Sequence, residues 1–191
     1  MARSSLRSPF LRTACRWVFW CGLGSLSLPG LASAQTQVTD PAPFLTTNLF
    51  SGSRSHRLNI VVLGDGFLSS QSAQFQTHVT NLVINYLLNT EPYNEYKAYF
   101  NVFSISSTSL EEGADHPHSG TWRDTYFNCS YDTAGIQRYL SIPNRTPVYN
   151  LLYQFVPDYT IAIMIVNDAE YGGSGGRFAT ISLDPSASLI L

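Results

Sequence analysis

Two apolar runs constrain the fold of this chain more than any other feature. Residues 58–63 read Leu-Asn-Ile-Val-Val-Leu and are closed by Gly64 and Gly66, and residues 159–166 form the most apolar candidate strand. Short runs rich in Ile and Val between turn residues are the pattern of strands buried on both faces, and such strands need a covering layer on each side. Residues 71–88 supply one cover: Phe75, Val79, Leu82, Val83, Tyr86 and Leu87 fall at i, i+4, i+7, i+8, i+11 and i+12, one face of a helix. A short aromatic helix over 93–99, a strand over 100–106, helices over 133–140 and 147–155, and a strand over 177–183 complete the pattern. The order predicts an α/β sheet in which 159–166 and 177–183, joined closely, pair antiparallel.

Charge divides the chain into two chemically different parts. Arg3, Arg7, Arg12 and Arg16 precede an apolar run over 17–31 and the small residues Ala32, Ser33 and Ala34, and no acid occurs before Asp40. A basic start, an apolar centre and an A-x-A site make an export signal, so residues 1–34 are read as cleaved and the protein as secreted or periplasmic. Gly22, Gly24, Pro29 and Gly30 interrupt the run, which falls short of the ~20 apolar residues of a bilayer span. No stable membrane insertion is expected after cleavage. The remainder carries seven basic against thirteen acidic residues, with Lys97 its one lysine, and leaves no electrostatic footprint for nucleic acid. Residues 35–57, rich in Thr, Ser, Pro and Asn, read as an extended lead-in to a domain over 58–191. Cys15 and Cys21 leave with the signal, so Cys129 is either a buried free thiol or half of a disulfide.

Three constellations invite chemistry. Gly64-Asp65-Gly66 follows a buried strand as a nucleophile turn would, but glycine stands where a serine is needed; the turn is expected to be structural, with Asp65 capping local amides. In Asp115-His116-Pro117-His118, the His-x-His spacing would put both imidazoles on one face of a strand. Pro117, Gly113 and Gly120 make it a loop, and no recognised metal motif results. His56 and His78 are the other imidazoles, and His78 is placed on the solvated side of its helix. Gly172-Gly173-Ser174-Gly175-Gly176 lacks the lysine and the following helix of a phosphate loop. It fits a hairpin connection or a glycine-rich approach to an edge strand that pairs with an extended substrate. Asn128 and Asn144 stand in glycosylation sequons.

Several strings together resemble the secreted zinc metallopeptidases named after IgA peptidase. They are residues 59–67 (Asn-Ile-Val-Val-Leu-Gly-Asp-Gly-Phe), Glu91-Pro92-Tyr93, Tyr99-Phe100-Asn101-Val102, Ser107 with Gly113-Ala114-Asp115-His116-Pro117, Gly135-Ile136-Gln137-Arg138, and residues 171–176. They occur in family order over residues 58–191.

The resemblance implies a zincin-like catalytic domain with a mixed, mostly parallel sheet. In it the strand 177–183 is the edge that binds the peptide backbone, with Gly173, Ser174, Gly175, Ala179 and Thr180 as the substrate-binding residues. It also implies a protein or peptide substrate and a zinc ion held by His-Glu-x-x-His on the helix that follows that strand. Asp184 as N-cap and Pro185 as first residue predict that helix, which would stop at Leu191 within the apolar stripe Leu189, Ile190 and Leu191. The C-terminal part of the domain is therefore expected to be missing from these residues, with no catalytic residue and no metal ligand in this chain. Two other readings stand beside it: a noncatalytic secreted binding module, and a hydrolase pairing Asp115 and His118 with Ser174 or Cys129 as nucleophile.

Overall fold

The computed structural model describes residues 41–186. Six strands form, β1 (Phe44–Leu49), β2 (Leu58–Asp65), β3 (Phe100–Ser106), β4 (Ile161–Val166), β5 (Gly173–Ser174) and β6 (Ala179–Ser182). They make one sheet in the order β1-β3-β2-β4-β6-β5. β2 runs parallel to β3 and β4, and β4 parallel to β6, while β1 and β5 close the two edges antiparallel. The result is the mixed, mostly parallel α/β sheet that the family resemblance implies.

Alternation of side chains along the central strands builds a core on each face. Val61, Leu63, Phe103, Ile105, Ala162, Met164 and Val166 point one way, against the segment 114–142 and helix α2 (Thr146–Phe155). Ile60, Val62, Val102, Ile163, Ile165 and Ile181 point the other way, against Phe67 and helix α1 (Ser72–Val79) with its continuation. The helix expected over 71–88 is one helical run of three kinds: α1, a π-helical segment Thr80–Tyr86 and a 3-10 turn Leu87–Asn89. The wider π turn shifts the register of the apolar stripe, so Leu87 and Leu88 are buried while Tyr86 is exposed. A polar latch also docks α1, because Gln76 donates to Ser106 Oγ (3.1 Å) and accepts from Ser104 Oγ (3.0 Å) and Asn48 Nδ2 (2.8 Å).

The structure corrects several expectations. Residues 35–57 are not lead-in alone, since β1 pairs along β3 and supplies an edge of the sheet. The strands near 159–166 and 177–183 are parallel, not antiparallel, because residues 167–178 are long enough to cross past β6 to the edge. They return as the β5–β6 antiparallel pair. That also makes β5, not the strand 177–183, the outer edge. No α-helix forms over 133–140: Asp132 and Ala134 hold left-handed backbone conformations, and only a single 3-10 turn, Thr133–Gly135, results. His78 is half-buried, 6.3 Å from the Phe67 ring, and burial lowers its pKa.

Cys129 is a buried free thiol, and both sequon asparagines are exposed. Asp184 Oδ1 accepts from the Ser186 amide (2.8 Å) in the manner of a cap. The helix itself, like the export signal, lies outside the described residues. Among the described residues no helix is long and apolar enough to cross a membrane.

Candidate functional site

The carboxyl ends of parallel strands are where an open α/β sheet gathers its polar groups. Here β2 ends at Asp65, fully buried, and the irregular segment after β3 folds back over it. Asp65 accepts from Phe127 N (3.0 Å), Cys129 N (2.9 Å) and Thr125 Oγ1 (3.0 Å). It was expected to cap local amides; it caps the amides of a segment sixty residues away. Ser109 Oγ accepts from Gly66 N and Tyr126 N, each at 3.0 Å, and Asn167 Nδ2 donates to Gly66 O (3.1 Å). Gly66 has φ +71°, and a Cβ there would lie 2.2 Å from Gly113 O. No serine fits that turn, so the nucleophile geometry is excluded by packing as well as by residue type.

Above this node the loop that carries Asp115, His116 and His118 meets the connection leaving β4. His116 Nε2 donates to Asp168 Oδ2 (2.8 Å), and His118 Nδ1 donates to Asp132 Oδ2 (2.8 Å). Their other ring nitrogens both face Glu170 Oε2, at 3.1 Å from His116 Nδ1 and 3.8 Å from His118 Nε2. One ligand atom from each of His116, His118 and Glu170 lies within 4.8 Å of the other two, an arrangement able to hold a metal ion. Burial opposes ionisation of Asp132, but hydrogen bonds from the His118 amide and ring outweigh it and lower its pKa. The Tyr131 ring stacks on His116 at 4.5 Å, and its hydroxyl, held protonated by burial and then by the Asp168 charge, donates to Glu170 O (2.6 Å).

Sequence reasoning set the His-x-His pair aside and missed its third member. Pro117 does place the pair in a 3-10 turn rather than a strand. What brings the imidazoles together is tertiary: Asp132 and Asp168, far apart in sequence, each anchor one ring. No spacing rule links these residues to Glu170, which joins them only in the folded chain.

The glycine-rich edge forms the second feature. β5 pairs Gly173 with Ile181 and Ser174 with Thr180. On its outer side Gly173 N donates to Arg138 O (3.1 Å), and Ser174 Oγ donates to Leu140 O (2.7 Å). A cleft of about 330 Å³ opens beside it, lined by Ile136, Arg138, Tyr139, Tyr171, Gly173, Ser174 and Gly175. Three of the five expected substrate-binding residues, Gly173, Ser174 and Gly175, thus line one cleft. Thr180 is buried in β6 between Ser174 and Met164, and Ala179, half-buried, is in register with Ile163.

The pair Asp115 and His118 does not assemble. Asp115 Oδ1 accepts from Arg123 N (2.7 Å), while His118 turns to Asp132. Burial, with the Asp65 charge beside it, pushes the Cys129 thiol well above its usual range, which removes it as a nucleophile at neutral pH. Ser174 points its hydroxyl at a backbone carbonyl, not at an imidazole.

No curated protein matches the sequence. A family model described as IgA Peptidase M64 matches residues 48–190, which take in every strand but the first residues of β1, the Asp65 node, the histidine loop and the glycine-rich edge. With most of its length so matched, the chain belongs to the IgA peptidase M64 family.

Proposed function

We propose that this domain serves a secreted zinc metalloendopeptidase, binding an extended stretch of a protein substrate along the β5 edge beside Gly173, Ser174 and Gly175. The observation that carries the reading is the edge itself. β5 is bonded on its outer side at Gly173 to Arg138 O, but at Gly175, the residue after it, a side chain would meet open space, so another backbone can approach the edge there. Arg138, Tyr139 and Tyr171 around the cleft offer a charge and flat rings to the flanking side chains of a substrate.

Zinc in such a peptidase polarises the scissile carbonyl and activates a water molecule. The His-Glu-x-x-His motif that would hold it does not occur in the 191 residues. Of the two α-helices among the described residues, α1 carries one imidazole, His78, and α2 none. These helices do not fit the zinc site of the family, and no step of bond cleavage is assigned to a residue of this chain. A polypeptide of these residues alone is accordingly proposed to bind substrate without cutting it.

The test is to mix the secreted protein with a heterogeneous denatured protein substrate, with and without a chelator, and to measure both binding and new peptide termini. Binding that falls at least tenfold in Gly175→Pro, with no cleavage by the 191 residues, is expected. Chelator-sensitive cleavage by those residues alone would overturn the assignment of no catalytic step. Binding unaffected by Gly175→Pro would remove the edge as the substrate site.

A further inference from the structure

We infer that His116, His118 and Glu170 form a divalent transition-metal site of the zinc class, separate from any His-Glu-x-x-His centre, that staples the histidine loop to the connection between β4 and β5. The inference does not rest on the peptidase reading. It starts from the proton count at the two imidazoles. Each ring spends one N–H on a carboxylate: His116 Nε2 on Asp168, and His118 Nδ1 on Asp132. A neutral ring then presents a lone pair at its other nitrogen, and both of those nitrogens face the same carboxylate oxygen, Glu170 Oε2. Three Lewis bases turned toward one another make a place for a cation, His118 Nε2 accepting besides only a long contact from Gln137 Nε2 (3.4 Å). His116 Nδ1 is buried and has no hydrogen-bond partner despite lying 3.1 Å from Glu170 Oε2, so hydrogen bonding does not account for the approach.

The spacing and the surroundings fit a metal. Bonds of about 2.0–2.1 Å in tetrahedral geometry set ligand atoms roughly 3.4 Å apart; the two separations to Glu170 are 3.1 and 3.8 Å, and all three ligand atoms lie within 4.8 Å of one another. Two imidazole nitrogens with one carboxylate oxygen suit zinc, cobalt or nickel rather than calcium or magnesium, which take oxygen ligands. The carboxylates behind the rings are the outer partners that metal-bound histidines need to fix their tautomer and orientation. Both are themselves held by backbone amides: Asp168 by Ala114 N (3.2 Å) and Glu170 N (2.9 Å), and Asp132 by His118 N (2.8 Å). Gln137 Nε2 donates to the second oxygen of Glu170 (3.1 Å), which leaves Oε2 for the ion.

The position of the site gives it a consequence. Glu170 lies just before the glycine-rich edge, and Tyr131, stacked on His116, packs against Gly172. Metal binding would therefore order the approach to β5.

The experiment uses the whole protein stripped of metal, with Co²⁺ as the probe. The visible absorption of the titration and the bound metal per chain are read for wild type, His118→Ala, Glu170→Gln, the double variant and Asp132→Asn. His118 and Glu170 are each about a third exposed, so these substitutions are tolerated by the fold, which circular dichroism checks. The expected result is one equivalent lost in the double variant, with the intense d–d bands of a low-coordinate nitrogen-containing site lost with it, and affinity reduced about 10–100-fold in Asp132→Asn. Equal stoichiometry, spectrum and affinity in wild type and double variant would overturn the site. So would a wild type that takes up no such equivalent, because protons would then be the cation between the three groups.

Discussion

At the scale of single residues, Asp65 links the two halves of the chain. Its side chain accepts three hydrogen bonds from residues 125–129, two of them from backbone amides, in full burial. Truncation would leave those donors without partners and without water, and each such orphan costs about 1–3 kcal/mol. Asp65→Ala is therefore expected to lower stability by on the order of 3–6 kcal/mol, much of the margin of an ordinary domain. Asp65→Asn is no remedy, because it keeps one acceptor oxygen and turns an NH₂ toward the donors. Chemical denaturation of the three proteins checks this, and a loss below about 1 kcal/mol in Asp65→Ala would show that the loop is held by its apolar residues alone. The identity of Asp65 as a structural rather than chemical group was legible in the sequence from the glycines around it. Its partners were not, since a capped segment so distant leaves no periodic trace.

At the scale of elements, legibility followed the strength of the local pattern. β2, β3, β4 and α2 were readable because their apolar runs or stripes are long, and Pro147 marks the first turn of α2. The segment 133–140 was misread because its apolar residues have helical spacing while its backbone is set by tertiary demands. Asp132 is drawn to His118, and Gly135 takes a φ of +75°. β1 was missed because an antiparallel edge strand of six residues, Phe-Leu-Thr-Thr-Asn-Leu, is only partly buried and carries little pattern. The glycine-rich connection shows how a small residue decides an element. A Cβ at Gly172 would lie 2.3 Å from Tyr131 Cε1 and 3.0 Å from Arg138 O. Gly172→Ala must displace the Tyr131 ring from between His116 and β5, at about 1–3 kcal/mol for overpacking. The expected outcome is a destabilised protein in which amides of 170–176 exchange faster with solvent. Unchanged exchange there would mean that the ring moves freely and that β5 does not depend on it.

At the scale of the whole molecule, one sheet serves two cores, and β2, β3 and β4 each send side chains into both. Ile163 and Ile165 belong to the core under α1, while Ala162, Met164 and Val166 belong to the core under α2. Neither layer can lose its packing without exposing the back of the other, so the faces are expected to unfold together rather than as separate layers. Met164→Ala and Ile165→Ala, each removing a buried side chain from a different face, are expected to cost about 2–5 kcal/mol apiece. Both should do so within a single transition. The measurement is denaturation followed by far-ultraviolet circular dichroism for the helices and by near-ultraviolet circular dichroism for the aromatic packing. Coincident curves in both variants are expected. If Ile165→Ala melted the α1 side alone, the sheet would not be the common scaffold. The edge β5 and the histidine loop would then be positioned by the α2 layer alone, since the loop residues Ala114, Phe127, Cys129 and Tyr131 pack in that core.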